Sequence, residues 1–136
     1  MERALVDTDI LSYFLKGDPA VVKNAIDYLE HYRVLEISII TFYEITSGLL
    51  AKNAHKQLSV FESFIAENIV VPLSENSVKI SSELYAILRQ SGNIVDDIDL
   101  LIAGIAMEND MIFITNNTRH FGRIPGLKTA NWKEIF

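Results

Sequence analysis

Arg3-Ala4-Leu5-Val6-Asp7-Thr8-Asp9 is the stretch whose reading decides the fold. A short apolar run bounded by charge reads as a buried strand, here ending on Asp7. Thr8 and Asp9 offer an N-cap for a short helix through about Lys16. Gly17-Asp18-Pro19 then stops one helix and starts the next: Gly ends the first, Asp18 caps the second, and Pro19 fits its first turn. That helix runs to about His31. A strand that passes straight into helices opens a βαβ unit.

The pattern repeats along the chain. Strands are expected at Val34 to Ile40, Ile69 to Leu73, Met111 to Thr115 and, briefly, Leu127 to Ala130. Thr41 to Ala51 reads as a helix with Phe42, Ile45 and Leu49 inward, and Lys56 to Glu67 as another with Leu58, Phe61, Phe64 and Ile65 inward. Ser74 to Gln90 carries Val78, Leu84, Ile87 and Leu88, and Ser91-Gly92-Asn93 breaks it. Asp99 to Asn109 is apolar nearly all round and should be deeply buried. Gly104 within it implies close packing on another backbone. Asn116 to Gly126 reads as an irregular basic loop, and Trp132 to Phe136 as a closing helical turn. The expectation is one α/β domain over residues 1–136, a central, mostly parallel sheet flanked by helices. Such sheets bind ligands beyond the carboxyl ends of their strands, which singles out Asp7, the Thr41–Glu44 turn and Thr115-Asn116-Asn117.

Composition narrows the chemistry. The chain has 136 residues, 49% of them hydrophobic, enough for a core. It has no cysteine, which removes disulfides, thiolate zinc sites and cysteine nucleophiles. A formal charge of −6 excludes binding nucleic acid by bulk charge. Met1 to Asp7 meets charge before a signal-peptide core can form, and the apolar stretch Leu100 to Met107 is about half a membrane span, so a cytoplasmic protein is expected.

Each acid has an ordinary explanation as well as a chemical one. Asp7 sits at a strand end, but Thr8 and Asp9 leave it surplus as a cap. Glu44 follows Thr41 by three residues, a capping box, yet the same position lies at the carboxyl edge of the sheet. One of Asp96, Asp97 and Asp99 suffices to cap the buried helix. Between Arg89 and Arg119 there is no Lys or Arg, and five acids go uncompensated, a cost that a cation would offset. Hard oxygen donors suit Mg²⁺ or Mn²⁺ rather than Zn²⁺. His31 and His55 read as surface residues. From Thr115 on, Arg119, Arg123, Lys128 and Lys133 against Glu134 leave a net +3, a basic rim suited to phosphates.

Taken together, four segments resemble the PIN-domain family. They are Leu5-Val6-Asp7-Thr8-Asp9-Ile10-Leu11, Ile39 to Leu49, Asp99-Leu100-Leu101-Ile102-Ala103-Gly104-Ile105-Ala106 and Phe113 to Phe121, in matching order and spacing. The nearest group is the VapC-type ribonuclease toxins of type II toxin–antitoxin systems. The resemblance implies a PIN-like three-layer sandwich, endoribonuclease activity on translation-related RNA, Mg²⁺ or Mn²⁺ as cofactor, a homodimer, and a VapB-type antitoxin partner. It places Asp7, Glu44 and Asp99 at the core acid positions. Asp97, Asn116, Asn117 and His120 are possible auxiliaries, and Arg119, Arg123 and Thr115 possible RNA contacts. Similar sequences often carry an acid where His120 stands, so His120 is open to metal, phosphate or neither.

Two other readings compete. Asp7-Thr8-Asp9 imitates the start of a haloacid-dehalogenase-type phosphatase, with Asp7 as nucleophile, but that family also needs a Lys, for which Lys79 is the nearest candidate. Alternatively, the acids are only helix caps in a non-catalytic interaction module.

Overall fold

The computed structural model describes residues 1–134; of the expected closing helical turn, residues 135 and 136 lie outside the described residues. In chain order the elements are β1 (Ala4–Val6), α1 (Thr8–Leu15), α2 (Pro19–Tyr32), β2 (Glu36–Ser38), α3 (Ile39–Ala51), α4 (His55–Glu67), β3 (Ile69–Val71), α5 (Glu75–Gln90), α6 (Asp97–Glu108), β4 (Ile112–Ile114), α7 (Thr118–Phe121) and β5 (Thr129–Ala130).

Every strand pairing is parallel. β4 lies between β1 and β5 in one sheet, and β2 pairs with β3 in a second. β1 and β2 run side by side, and Arg3 joins them by donating through Nε and Nη2 to Glu36 Oε2 and Oε1 at 2.7 and 2.6 Å. The strands alternate between two cores, as period-two geometry requires. Leu5 and Phe113 face a core built on Leu84, Leu88, Ile105 and Phe121. Val6 and Ile114 face the other, with Ile10, Val21, Tyr28, Phe61 and Trp132. The three-layer arrangement follows: α5 and α6 cover one face, and α1, α2 and α4 the other.

Gly17 adopts φ +81°, and Asp18 caps α2 by accepting from the amides of Ala20 and Val21, with Pro19 in the first turn, as expected. α6 is buried through Leu100, Ile102, Ala103, Gly104, Ile105 and Ala106. A Cβ on Gly104 would come within 2.1 Å of Ser81 Oγ and 2.4 Å of the Ser77 carbonyl oxygen, so this glycine lets α6 lie against the backbone of α5.

Four expectations need correction. The second strand ends at Ser38, and Ile39 and Ile40 are already helical, because Ser38 Oγ accepts from the Thr41 amide and starts α3 two residues early. Asp7 itself caps α1: its Oδ1 accepts from the Thr8 amide at 2.8 Å. Val78 and Ile87 are exposed, and α5 buries Ser77, Ser81, Leu84 and Leu88 instead. Residues 116–126 are not irregular throughout, since Thr118–Phe121 forms α7, anchored by Phe121 against Phe113 at 4.7 Å between ring centroids.

Candidate active site

The carboxyl ends of β1, β2 and β4 bring together the first two acids. The Asp7 amide donates to the Ile114 carbonyl at 2.8 Å, continuing the β1–β4 ladder and fixing the residue's place. The residue is 9% exposed, with Oδ1 on the Thr8 amide and Oδ2 accepting from Thr115 Oγ1 at 2.8 Å. Burial pushes the Asp7 carboxyl up to about 7. The nearby charges of Asp9 and Glu44 push the same way, against the pull of the Thr115 and Thr8 bonds.

Glu44 is freed for the site by the early start of α3. Ser38 does the capping, so Glu44 is not part of a box with Thr41; its Oε1 accepts from Thr8 Oγ1 at 2.7 Å. Thr8 has one hydroxyl proton, which goes to the carboxylate. Thr41, whose Oγ1 lies 3.0 Å from Thr8 Oγ1, therefore donates to Thr8 in turn.

Asp99 sits in the first turn of α6, and its Oδ2 lies 2.8 Å from His120 Nε2. Arg123 donates through Nη2 to His120 Nδ1 at 2.9 Å. Asp96 is the cap of α6, accepting from the Ile98 amide. Asp97 is exposed and lines a groove between α5 and α6 with Ser81, Tyr85 and Leu101, apart from the other acids.

Asp9 joins the site more firmly than its sequence position suggested. Its Oδ1 accepts from the Ile10 amide and its Oδ2 from the Asn116 amide, and burial raises its carboxyl. The tie to Asn116 is long-range, and only the β1–β4 pairing reveals it. Asn116 uses its side-chain carbonyl on Asn131 Nδ2, and Asn117 donates its amide to Thr115 Oγ1. Thr115, expected as an RNA contact, has no exposed surface and serves Asp7. Arg119 and Arg123 are exposed, and His31 and His55 lie on the surface. Lys79 is 68% exposed on α5 beside Glu75, which leaves the phosphatase reading without its lysine.

Among the described residues, no three His, Cys, Asp or Glu side chains converge tightly enough to cage a metal ion unaided. The donor chemistry nonetheless fits Mg²⁺, which keeps several waters and takes one or two carboxylates together with substrate phosphate. A buried carboxylate that carries raised electrostatic cost beside two other acids is such a donor.

The PIN domain family profile matches residues 4–127. Ribonuclease VapC2 of Rickettsia felis is 30% identical over 129 residues, covering 94% of this chain and 96% of that protein. The tRNA(fMet)-specific endonuclease VapC of Shigella flexneri is 29% identical over 133 residues, 97% of this chain and 99% of that one. The structure of Rickettsia felis VapBC2 bound to a promoter DNA fragment superposes with a TM-score of 0.84 at 28% identity, covering 95% of this chain and 98% of that chain. Parallel topology, the acids at its carboxyl edge and these full-length similarities agree that the chain belongs to the PIN-domain family, as a ribonuclease toxin of the VapC type.

Proposed function

We propose that residues 1–136 act as one nuclease domain that hydrolyses RNA phosphodiester bonds with Mg²⁺ or Mn²⁺, using Asp7, Glu44 and Asp99. The observation that carries this reading is Asp7: a buried carboxyl raised to about 7 beside Asp9 and Glu44, at the sheet edge where parallel folds bind ligands. Asp7 and Glu44 hold the cation, and Asp99 completes the set from α6. The chemistry that a bound divalent ion supplies is a water of lowered pKa and charge stabilisation on the scissile phosphate. Thr115 and Thr8 orient the Asp7 and Glu44 carboxylates, and Arg119, exposed on α7, holds RNA phosphate.

The substrate class we infer is a structured RNA of translation, in the cytoplasm; the Shigella relative, named for tRNA(fMet), favours transfer RNA. No described helix is long and apolar enough to cross a membrane. A VapB-type antitoxin fits the groove of about 300 Å³ between α1, α3 and α4, where Leu15, Ile45, Leu49 and Phe61 lie between Lys16 and Lys56. The Rickettsia structure, a VapBC2 assembly, supports such a partner. Exposed Val78, Tyr85, Ile87, Ile94 and Ile98 support a homodimer that covers the α5–α6 side.

The test is expression in cells with mapping of new 5′ ends. Wild type should yield discrete cleavage sites in one RNA class, and Asp7→Ala, Glu44→Ala and Asp99→Ala should yield none while remaining folded. Full cleavage by any of the three variants removes that residue from the assignment.

A further inference from the structure

Arg123, His120 and Asp99 form a chain of hydrogen bonds that only one arrangement of protons satisfies. A guanidinium donates and never accepts, so the bond from Arg123 Nη2 to His120 Nδ1 at 2.9 Å requires a lone pair on Nδ1. The ring proton is then on Nε2, which donates to Asp99 Oδ2 at 2.8 Å. Arg123 also donates through Nε to the His120 carbonyl at 3.3 Å, so its planar fork grips both backbone and ring of the same residue. The ring stands edge-on to Phe121, which is buried in the core. Position and orientation of the imidazole are set from outside the acid cluster, and the Arg123 and Asp99 bonds both require its proton on Nε2. Among the described residues, Asp99 Oδ2 has no other protein partner.

We propose that Arg123 is a positioning residue: it fixes the Nε2–H tautomer of His120, which in turn holds Asp99 in its working orientation. His120 is then neither a metal ligand nor a phosphate contact but the donor that orients a carboxylate. Groups that orient a metal-binding side chain in this way are typically worth about 10–100-fold in metal affinity or activity. The role in catalysis rests on the nuclease reading above; the tautomer does not, and the two are tested separately.

The tautomer is read from the ring ¹⁵N shifts of His120 in the metal-free protein in alkaline buffer. Wild type should show the Nε2–H form, and Arg123→Ala a mixture with the Nδ1–H form. A wild-type ring protonated on Nδ1, or an unchanged spectrum in the variant, overturns the proposal whatever the protein cleaves. Kinetics then separate positioning from RNA binding. Arg123→Ala should lower kcat about tenfold with KM nearly unchanged, and weaken Mn²⁺ binding by calorimetry to a similar degree. A raised KM with kcat and Mn²⁺ affinity intact would make Arg123 a phosphate contact only and overturn the proposal. The rescue uses His120→Gln, whose amide NH₂ can donate to Asp99 without a tautomer to choose. In that background Arg123→Ala should cost less than twofold; a full tenfold loss there would mean that Arg123 acts by another route.

Discussion

Thr115 Oγ1, with no surface exposed to solvent, donates its proton to Asp7 Oδ2 across the β1–β4 boundary at 2.8 Å. Thr115, with the Thr8 amide, thereby helps keep a buried carboxylate ionisable: their bonds lower the Asp7 pKa while burial raises it. Thr115→Val preserves shape and removes the donor. The acid limb of the pH–rate profile should move to higher pH, with the plateau rate little changed at high pH. A limb that stays in place would show that Asp7 is not the group whose ionisation limits activity.

The same carboxyl makes folding pH-dependent. The folded pKa of Asp7, about 7, lies above the ordinary aspartate value of 3.8, so between these values the folded state binds more protons than the unfolded state. Asp7 therefore lowers stability as pH rises from about 4 through 7, by on the order of 4 kcal/mol when fully charged. The cation-free protein should melt lower at pH 8 than at pH 5. Asp7→Asn should raise Tm at pH 8, with the gain shrinking toward pH 5. Added Mn²⁺ should raise Tm of the wild type and not of Asp7→Asn. Melting curves for both proteins at both pH values decide it.

Asp9 contributes to that shift through its charge. Removing the charge with Asp9→Asn should lower the Asp7 pKa and move the acid limb of activity to lower pH, opposite in sign to Thr115→Val. Measured together, the two variants give a check that neither gives alone, because a general loss of structure would not move the limb in two directions.

What the sequence conveyed best was whatever depends on short-range pattern. Gly17-Asp18-Pro19 fixed a helix junction because each residue satisfies one local demand, and Leu5 between Ala4 and Val6 read as a strand because its neighbours are apolar on both faces. Starts of elements were less legible where two capping residues compete. Ser38 and Thr41 both offer a hydroxyl for the start of α3, and only the turn actually formed assigns the cap to Ser38 and releases Glu44 to Thr8. α5 misled for a related reason: it buries Ser77 and Ser81, and Ser81 donates to the Leu100 carbonyl, a contact with α6 that periodicity cannot foresee, while Val78 and Ile87 face outward. Family order is what singles out the three acids in the sequence. Their hydrogen-bond partners, Thr115, Thr8 and His120, lie 108, 36 and 21 residues away and came only with the fold.

Close approach of α6 to α5 gives the sharpest test of packing. Gly104→Ala puts a Cβ within 2.4 Å of the Ser77 carbonyl, a backbone atom that a rotamer change does not clear. The variant should lose at least about 1–3 kcal/mol in urea unfolding. Adding Ser81→Ala removes the 2.1 Å contact with Oγ but not the backbone one, so it should recover only part of the loss. Full recovery would locate the strain in the serine side chain alone.

Arg3 and Glu36 hold the two sheets at their opposite end. Glu36 is 5% exposed, and the guanidinium is its only charged partner among the described residues. Arg3→Met leaves a buried carboxylate unpaired, which should cost about 2 kcal/mol or more. Glu36→Gln combined with Arg3→Met removes that charge and should regain much of the loss. Since this pair lies at the amino ends of β1 and β2, away from Asp7, cleavage by the folded double variant should match wild type within about twofold. A double variant as unstable as Arg3→Met would show that the arginine acts through its packing and its bond to the Asn109 carbonyl, rather than through its charge on Glu36.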